Sequence, residues 1–238
     1  MKSKILCIEI GPGLGTLTSS LLKKFECVLA IEFDKKLAEN LPMSFPGKKL
    51  SVINQDFLQF DLEKIEEPYV VAGNIPYCIT SPIIDKLLNA KNKPLKIVLL
   101  IQKEVAEKIL ETDGKHSFLS LNIKNLAEAE AGPVTLFWEN GEPKLSYVVT
   151  KDYFTPPPKV DSAVVVLRPR AKSLVDAETM KMIRLGFLKP RKKLVSNLGG
   201  KKNLEKVFAE LKIDLNARAA DLDLLDWQSL TEKIRSEQ

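Results

Sequence analysis

Short apolar runs alternating with amphipathic stretches restrict this chain to few folds. ILCIEI (5–10), CVLAIEF (27–33), LSVINQ (50–55), YVVAGN (69–74) and KIVLLIQ (96–102) read as strands. TLTSSLLKKF (16–25), DKKLAENL (34–41, with Asp34 as N-cap) and SPIIDKLLNA (81–90) have helical spacing between them, and EVAEKIL (104–110) follows. Strands separated by helices imply βαβ units, hence a parallel sheet covered on both faces. Ligands in such folds sit beyond the carboxyl ends of the strands. The residues that matter first are therefore Gly11, Glu32, Asp56 and Asn74.

The pattern changes after Leu110. SFLSLNIKNLAEAEA (117–131) reads as one helix, and VTLFWENGEPKLSYVV (134–149) as a hairpin turning at Asn140-Gly141. Three prolines, 156 to 158, lead into a last strand at 160–167, and from there only helices are expected, at 176–188, 203–211 and 226–236. A boundary at 168–173 divides residues 1–168 from a helical domain, 174–238.

Composition excludes several chemistries. A single histidine, His116, leaves no His-clustered metal centre and makes a Ser-His-Asp triad improbable. Cys7, Cys27 and Cys78 form no CxxC pair, so neither a metal site nor a disulfide framework is expected. No apolar run is long enough for a bilayer and no signal segment opens the chain, which favours the cytoplasm and no membrane. Residues 168–206 hold twelve Lys/Arg against three Asp/Glu, +9 locally on a chain of net +5, which leaves about −4 elsewhere. That contrast suits a polyanion such as nucleic acid, or a solvated helix face.

Each strand end carries a chemical preference. Glycines 11, 13 and 15 in EIGPGLGTLT let the backbone approach a ligand and open a helix. The spacing departs from the G-x-G-x-x-G dinucleotide fingerprint, because Thr16 stands in the place of its last glycine. Glu32 suits two ribose hydroxyls, or is a solvated strand-end acid. Asp56 can accept an adenine amino hydrogen, and Phe57 can pack on that ring or belong to the core. An adenosine fits all three ends, which points to S-adenosylmethionine. The fourth end, Asn74-Ile75-Pro76-Tyr77, adds an amide acceptor, a stiffened loop and a ring for base stacking, worth roughly 1–3 kcal/mol per base. Two acceptors on an exocyclic amine free its lone pair for in-line attack on a sulfonium methyl, with no metal and no strong base. A buried Tyr in a Pro-containing turn is the plainer alternative.

EIGPGLGTLT, IEFD, NQDF, GNIPY, IQKEVAEKI and FTPPPKVDSAVV resemble the KsgA family of rRNA adenine N6,N6-dimethyltransferases. PRKKLVSNL and ARAADLDLLDW resemble that family's helical domain. The resemblance implies a Rossmann-like class I S-adenosylmethionine-dependent methyltransferase sheet with a small C-terminal all-α domain. It implies cofactor contacts at Glu9, Gly11, Gly13, Glu32, Asp56, Phe57 and Asn74. Asn74, Pro76 and Tyr77 would hold the target adenine, with Phe154 closing on its other face; a hydrophobic plug is the alternative for Phe154. Lys189, Arg191, Lys192 and Lys193 would contact RNA phosphates. The implied substrate is two neighbouring adenosines in the 3′-terminal hairpin loop of 16S rRNA, each methylated twice, in the small ribosomal subunit and by a monomer.

Two departures stand out. The family carries a Gln-Asn-Phe-Leu segment ahead of the first strand that helps cover cofactor and substrate; here Met1 stands just before that strand, so the lid is expected to be missing. The hairpin around Trp138 replaces a single strand and is expected to pack near the base slot. Two other readings stay open: an Erm-like methyltransferase of large-subunit rRNA, and a non-catalytic ribosome-assembly factor.

Overall fold

The computed structural model describes residues 4–139, 142–155, 157–199 and 204–237, with the side chains of 135–145 outside that description. The ten strands among them are β1 (Leu6–Ile10), β2 (Val28–Glu32), β3 (Leu50–Asn54), β4 (Tyr69–Asn74), β5 (Lys96–Gln102), β6 (Ala127–Ala131), β7 (Val134–Glu139), β8 (Glu142–Ser146), β9 (Val148–Val149) and β10 (Ser162–Pro169). The α-helices are α1 (Thr16–Lys24), α2 (Lys35–Asn40), α3 (Thr80–Leu88), α4 (Lys103–Leu110), α5 (Phe118–Leu126), α6 (Ala177–Gly186), α7 (Leu194–Asn197), α8 (Leu204–Glu210) and α9 (Leu224–Ser236).

The main sheet runs β3-β2-β1-β4-β5-β10-β6, with β9 on β10. β1 pairs in parallel with both β2 and β4, β2 with β3, and β4 with β5, so the carboxyl ends of these five strands share one edge. β10 is antiparallel to β5 and closes the parallel part. The order reverses on either side of β1, making the β1/β4 gap the switch point where such sheets bind ligands. β1 is buried along its whole length and β5 alternates buried with half-buried positions, as expected of strands inside a covered sheet.

Residues 117–131 correct the sequence-based expectation. The helix stops at Leu126, and Ala127–Ala131 form strand β6. Ser117 and Ser120 start α5 with a reciprocal capping box. At its end the backbone of Ala127 turns extended, and beyond it Gly132 donates to the Val164 carbonyl at 2.8 Å. Pairing with a strand far along the chain outweighs the helical propensity of alternating Ala and Glu.

The hairpin is present as backbone, β7 against β8 with Glu139 opposite Glu142; its Asn140-Gly141 turn lies outside the described residues, as does Pro156.

The chain divides into two compact units, Met1–Ala106 with Glu128–Pro169, and Glu107–Ala127 with Arg170–Gln238. The single cut expected near residue 168 therefore does not account for 107–127, which belong with the helices. Leu121 of α5 is fully buried in the core of that second unit with Ile183, Leu194, Val207, Phe208 and Trp227. The Asn125 side-chain oxygen accepts the Val175 N–H at 2.8 Å within the same unit. Among the described residues no helix is long and apolar enough to cross a membrane.

Candidate active site

The site belongs to the first unit and grows from the carboxyl edge of its sheet. β1 ends at Ile10, and Gly11 turns the chain at φ +62°, its N–H donating to the Ile31 carbonyl at 3.0 Å. Gly13 follows at φ +57° with open space where a side chain would stand. Gly15 serves packing: a Cβ there would sit 2.8 Å from atoms of Leu41 and Phe45, so only glycine lets α1 start so close to them.

Glu32, almost fully buried at the end of β2, ties this edge together. One carboxylate oxygen accepts the Gly13 N–H at 3.0 Å and the other the Asp34 N–H at 2.9 Å. Each oxygen keeps a further lone pair for a ligand hydroxyl. Asn54, which opens the NQDF motif but received no role from the sequence, donates its amide to the carbonyls of Glu32 and Phe33, both at 2.9 Å, and so holds the chain beyond β2.

Glu9 presents a different problem. It is 1% exposed, and among the described residues neither carboxylate oxygen has a hydrogen-bond partner. Burial pushes its pKa from 4.5 up to about 7; nearby Thr18 offsets part of the rise and the Glu32 charge adds to it. A buried carboxylate with unspent acceptors needs either a proton or a cationic, hydrogen-bonding ligand. Cys7, two residues earlier, is fully buried and its thiol is pushed up to about 12, mainly by burial, so it is no nucleophile.

Asp56 is half-buried and its Oδ1 accepts the Leu58 N–H at 2.8 Å, shaping the turn after β3. Phe57 is 4% exposed, with the Lys86 ammonium 5.9 Å from its ring centre, an environment that matches its core alternative. Lys86, from α3, also donates to the Leu58 carbonyl at 2.7 Å and anchors this loop. No local motif marks Lys86, because its partner is set by the docking of α3.

Asn74 ends β4 and is exposed, as is Pro76, while Ile75 between them is buried. A Cβ on Gly11 would meet the Asn74 backbone oxygen at 3.9 Å, so the first and fourth strand ends face each other across the switch point. Tyr77 is half-buried and its hydroxyl lies 2.9 Å from the Ser162 hydroxyl. Phe154 is half-buried and follows a 3-10 turn, Lys151–Tyr153. Gly11, Gly13, Glu32, Asp56 and Asn74 thus share one edge of a parallel sheet, as their strand-end positions predict, and Glu9 lies buried in β1 beside it.

The chain as a whole agrees with a known family. A family model described as Ribosomal RNA adenine dimethylase matches residues 2–236. The chain belongs to this family. Among curated proteins, it is 37% identical to Ribosomal RNA small subunit methyltransferase A of Nostoc sp. (strain PCC 7120 / SAG 25.82 / UTEX 2576), covering 94% of this chain and 85% of that protein. The protein of the same name from Mycoplasmopsis synoviae (strain 53) is 37% identical, covering 91% and 82%. Among solved structures, a dimethyladenosine transferase from Plasmodium falciparum superposes with a TM-score of 0.79 at 26% identity, covering 100% of this chain and 92% of that one. The 23S rRNA methyltransferase ErmE superposes with a TM-score of 0.74 at 28% identity, covering 99% and 93%. The dimethylase family expected from the motifs is the one found.

The basic cluster lies in the second unit. Lys189, Arg191 and Lys192 are exposed and line, with Leu188 and Pro190, a shallow depression of about 330 Å³. Lys193 differs, since its ammonium donates to the Asn216 side-chain oxygen at 2.6 Å.

Proposed function

We propose that this chain transfers methyl groups from S-adenosylmethionine to N6 of two adjacent adenosines in the 3′-terminal hairpin loop of 16S rRNA, in the cytoplasm and during small-subunit biogenesis. The observation that carries the reading is the exposed Asn74 amide, set on the switch point opposite Gly11 and followed by Pro76 and Tyr77. Three curated relatives named for the small subunit, 34–38% identical, favour that subunit over the large one that ErmE modifies at 28% identity.

The residues present fit the cofactor. Glu9 has two unspent buried acceptors suited to a cation, and Gly13 leaves room beside Glu32, whose free lone pairs suit ribose hydroxyls. Asp56 and the turn it shapes suit an adenine edge. The cofactor supplies a methyl group on cationic sulfur.

The remaining steps fall to protein groups. The Asn74 side-chain oxygen and a nearby backbone carbonyl accept the two N6 hydrogens of the target base, which pulls the nitrogen lone pair out of conjugation and aims it. Tyr77 supports one face of a base taken out of its stack, and Phe154 the other. Pro76 restricts the backbone between amide and ring. No general base is needed before transfer, because the amine becomes acidic only once methylated. Lys189, Arg191 and Lys192 position RNA through its phosphates.

The test is transfer of labelled methyl to small subunits that lack the modification, followed by nucleoside mass analysis. N6,N6-dimethyladenosine is expected from the unaltered chain, and none from Asn74→Ala, which should still bind RNA. Cofactor and RNA binding without any transfer would favour the assembly-factor reading. Label in large subunits would favour the Erm-like one.

A further inference from the structure

The motif that contains Phe154 also contains Asp161 and Ser162, to which the proposed mechanism assigns nothing. Ser162 is fully buried at the start of β10, where the strand continues Ala-Val-Val-Val-Leu. A hydroxyl buried among aliphatic residues costs stability unless it is hydrogen-bonded. This one lies 2.9 Å from the Tyr77 hydroxyl, 85 residues away in sequence. Ser162 is itself held from both sides, opposite Gln102 of β5 and Val149 of β9.

Asp161, its neighbour, grips a different segment. Its Oδ1 accepts the Lys151 N–H at 3.1 Å, and Lys151 opens the 3-10 turn whose carbonyl receives the Phe154 N–H at 3.1 Å. The Asp161 carbonyl accepts the Lys103 N–H at 3.0 Å, which fixes the dipeptide to the end of β5.

We infer that Asp161 and Ser162 are positioning residues that set the gap between the Tyr77 and Phe154 rings of the base slot. The inference rests on the proposed function, which supplies the base between those rings. Of these two consecutive residues, Ser162 bonds the Tyr77 hydroxyl and Asp161 the 3-10 turn that delivers Phe154, so a single peptide anchored in the sheet constrains both ring-bearing segments. Without it Tyr77 sits on a 3-10 turn after an exposed proline and Phe154 on an exposed loop, neither rigid by itself. Reacting groups held ~1 Å out of place can lose on the order of 100-fold in rate, so a modest loosening of the slot is enough to matter.

The experiment is a double-mutant cycle on methyl transfer to unmodified small subunits, with Ser162→Ala, Tyr77→Phe and the pair. Tyr77→Phe keeps the stacking ring and removes only the hydroxyl, so it reports on the same bond should Ser162→Ala fold poorly. Each single variant is expected to lower kcat about tenfold with KM for subunits and cofactor affinity unchanged, and the double variant to be no worse than either single. Asp161→Ala is expected to behave alike, while Asp161→Asn, which keeps the accepting oxygen, retains near-normal kcat. Additive losses in the cycle, an unaffected kcat, or an effect confined to a raised KM would overturn the inference. Absence of transfer by the unaltered chain would instead refute the proposed function, which separates the two failures.

Discussion

Gly13 donates its backbone N–H to the Glu32 carboxylate at 3.0 Å, joining the glycine loop after β1 to the end of β2. The other oxygen of that carboxylate accepts the Asp34 N–H, so one buried side chain orders the start of two loops. Glutamine would present an NH₂ to one of these two donors. Hydrogen bonds to a charged group contribute about 1.5–3 kcal/mol, and about 1.4 kcal/mol is tenfold in affinity. Glu32→Gln is therefore expected to weaken S-adenosylmethionine binding by ~10- to 100-fold in calorimetric titration. Unchanged affinity would mean that the carboxylate organises nothing the cofactor needs.

Glu9 makes both stability and cofactor binding depend on pH. Its folded pKa of about 7 lies above the ordinary 4.5, so between those values the folded chain holds a proton that the unfolded chain releases. The contribution to stability is complete below pH 4.5 and is lost as pH rises through 7. Thermal melts of the ligand-free protein should show this fall, and Glu9→Gln should remove it. A cationic ligand prefers the carboxylate, so S-adenosylmethionine should bind more tightly above pH 7 and release up to one proton on binding at lower pH. Calorimetry in buffers of different ionisation enthalpy counts that proton; equal release by Glu9→Gln would assign it elsewhere.

The basic loop offers an internal control. Lys189, Arg191, Lys192 and Lys193 are all exposed, and Lys193 alone of the four has its ammonium bonded to the Asn216 side chain among the described residues. Alanine at each of the first three should weaken RNA binding regardless of sequence. Each should also lower the salt slope by roughly 0.7–0.9 for every phosphate no longer neutralised. Lys193→Ala should change the slope less, and none of the four should alter cofactor affinity. Filter binding over a range of salt would reveal equal slopes for all four if the loop plays no part.

Gly186 closes α6 against the largest side chain in the second unit. A Cβ there would sit 2.2 Å from the Trp227 ring, and Trp227 is fully buried, 6.4 Å from the Phe187 ring centre. Overpacking of this kind costs about 1–3 kcal/mol, more than the helix propensity alanine brings. Gly186→Ala should lower Tm by several degrees and leave S-adenosylmethionine binding intact. A stabilised variant would show that the indole has room to shift.

The strand ends were legible because their signals are local. An apolar run, a glycine turn and an acid or amide at the next position all lie within a few residues, and the alternation of strands with helices requires these ends to share one edge. Asp34 likewise announced itself as an N-cap and accepts the Leu37 N–H at 3.0 Å.

Other features depended on partners the sequence does not point to. Residues 127–131 have helical composition and became a strand because the sheet needed an edge beside β10. Residues 107–127 look like a continuation of the first domain, yet Leu121 belongs to the Trp227 core. Lys86 lies in no motif, and Ser162 lies in one that gives it no role; each matters through a loop or ring brought to it from a distant part of the chain. The amino-acid order by itself determined the βαβ frame, the family and which residues stand at the strand ends, since backbone propensity and turn geometry are written over a few residues. Which distant group supports each of those ends was decided only in the folded chain, where a buried polar atom without a partner costs stability.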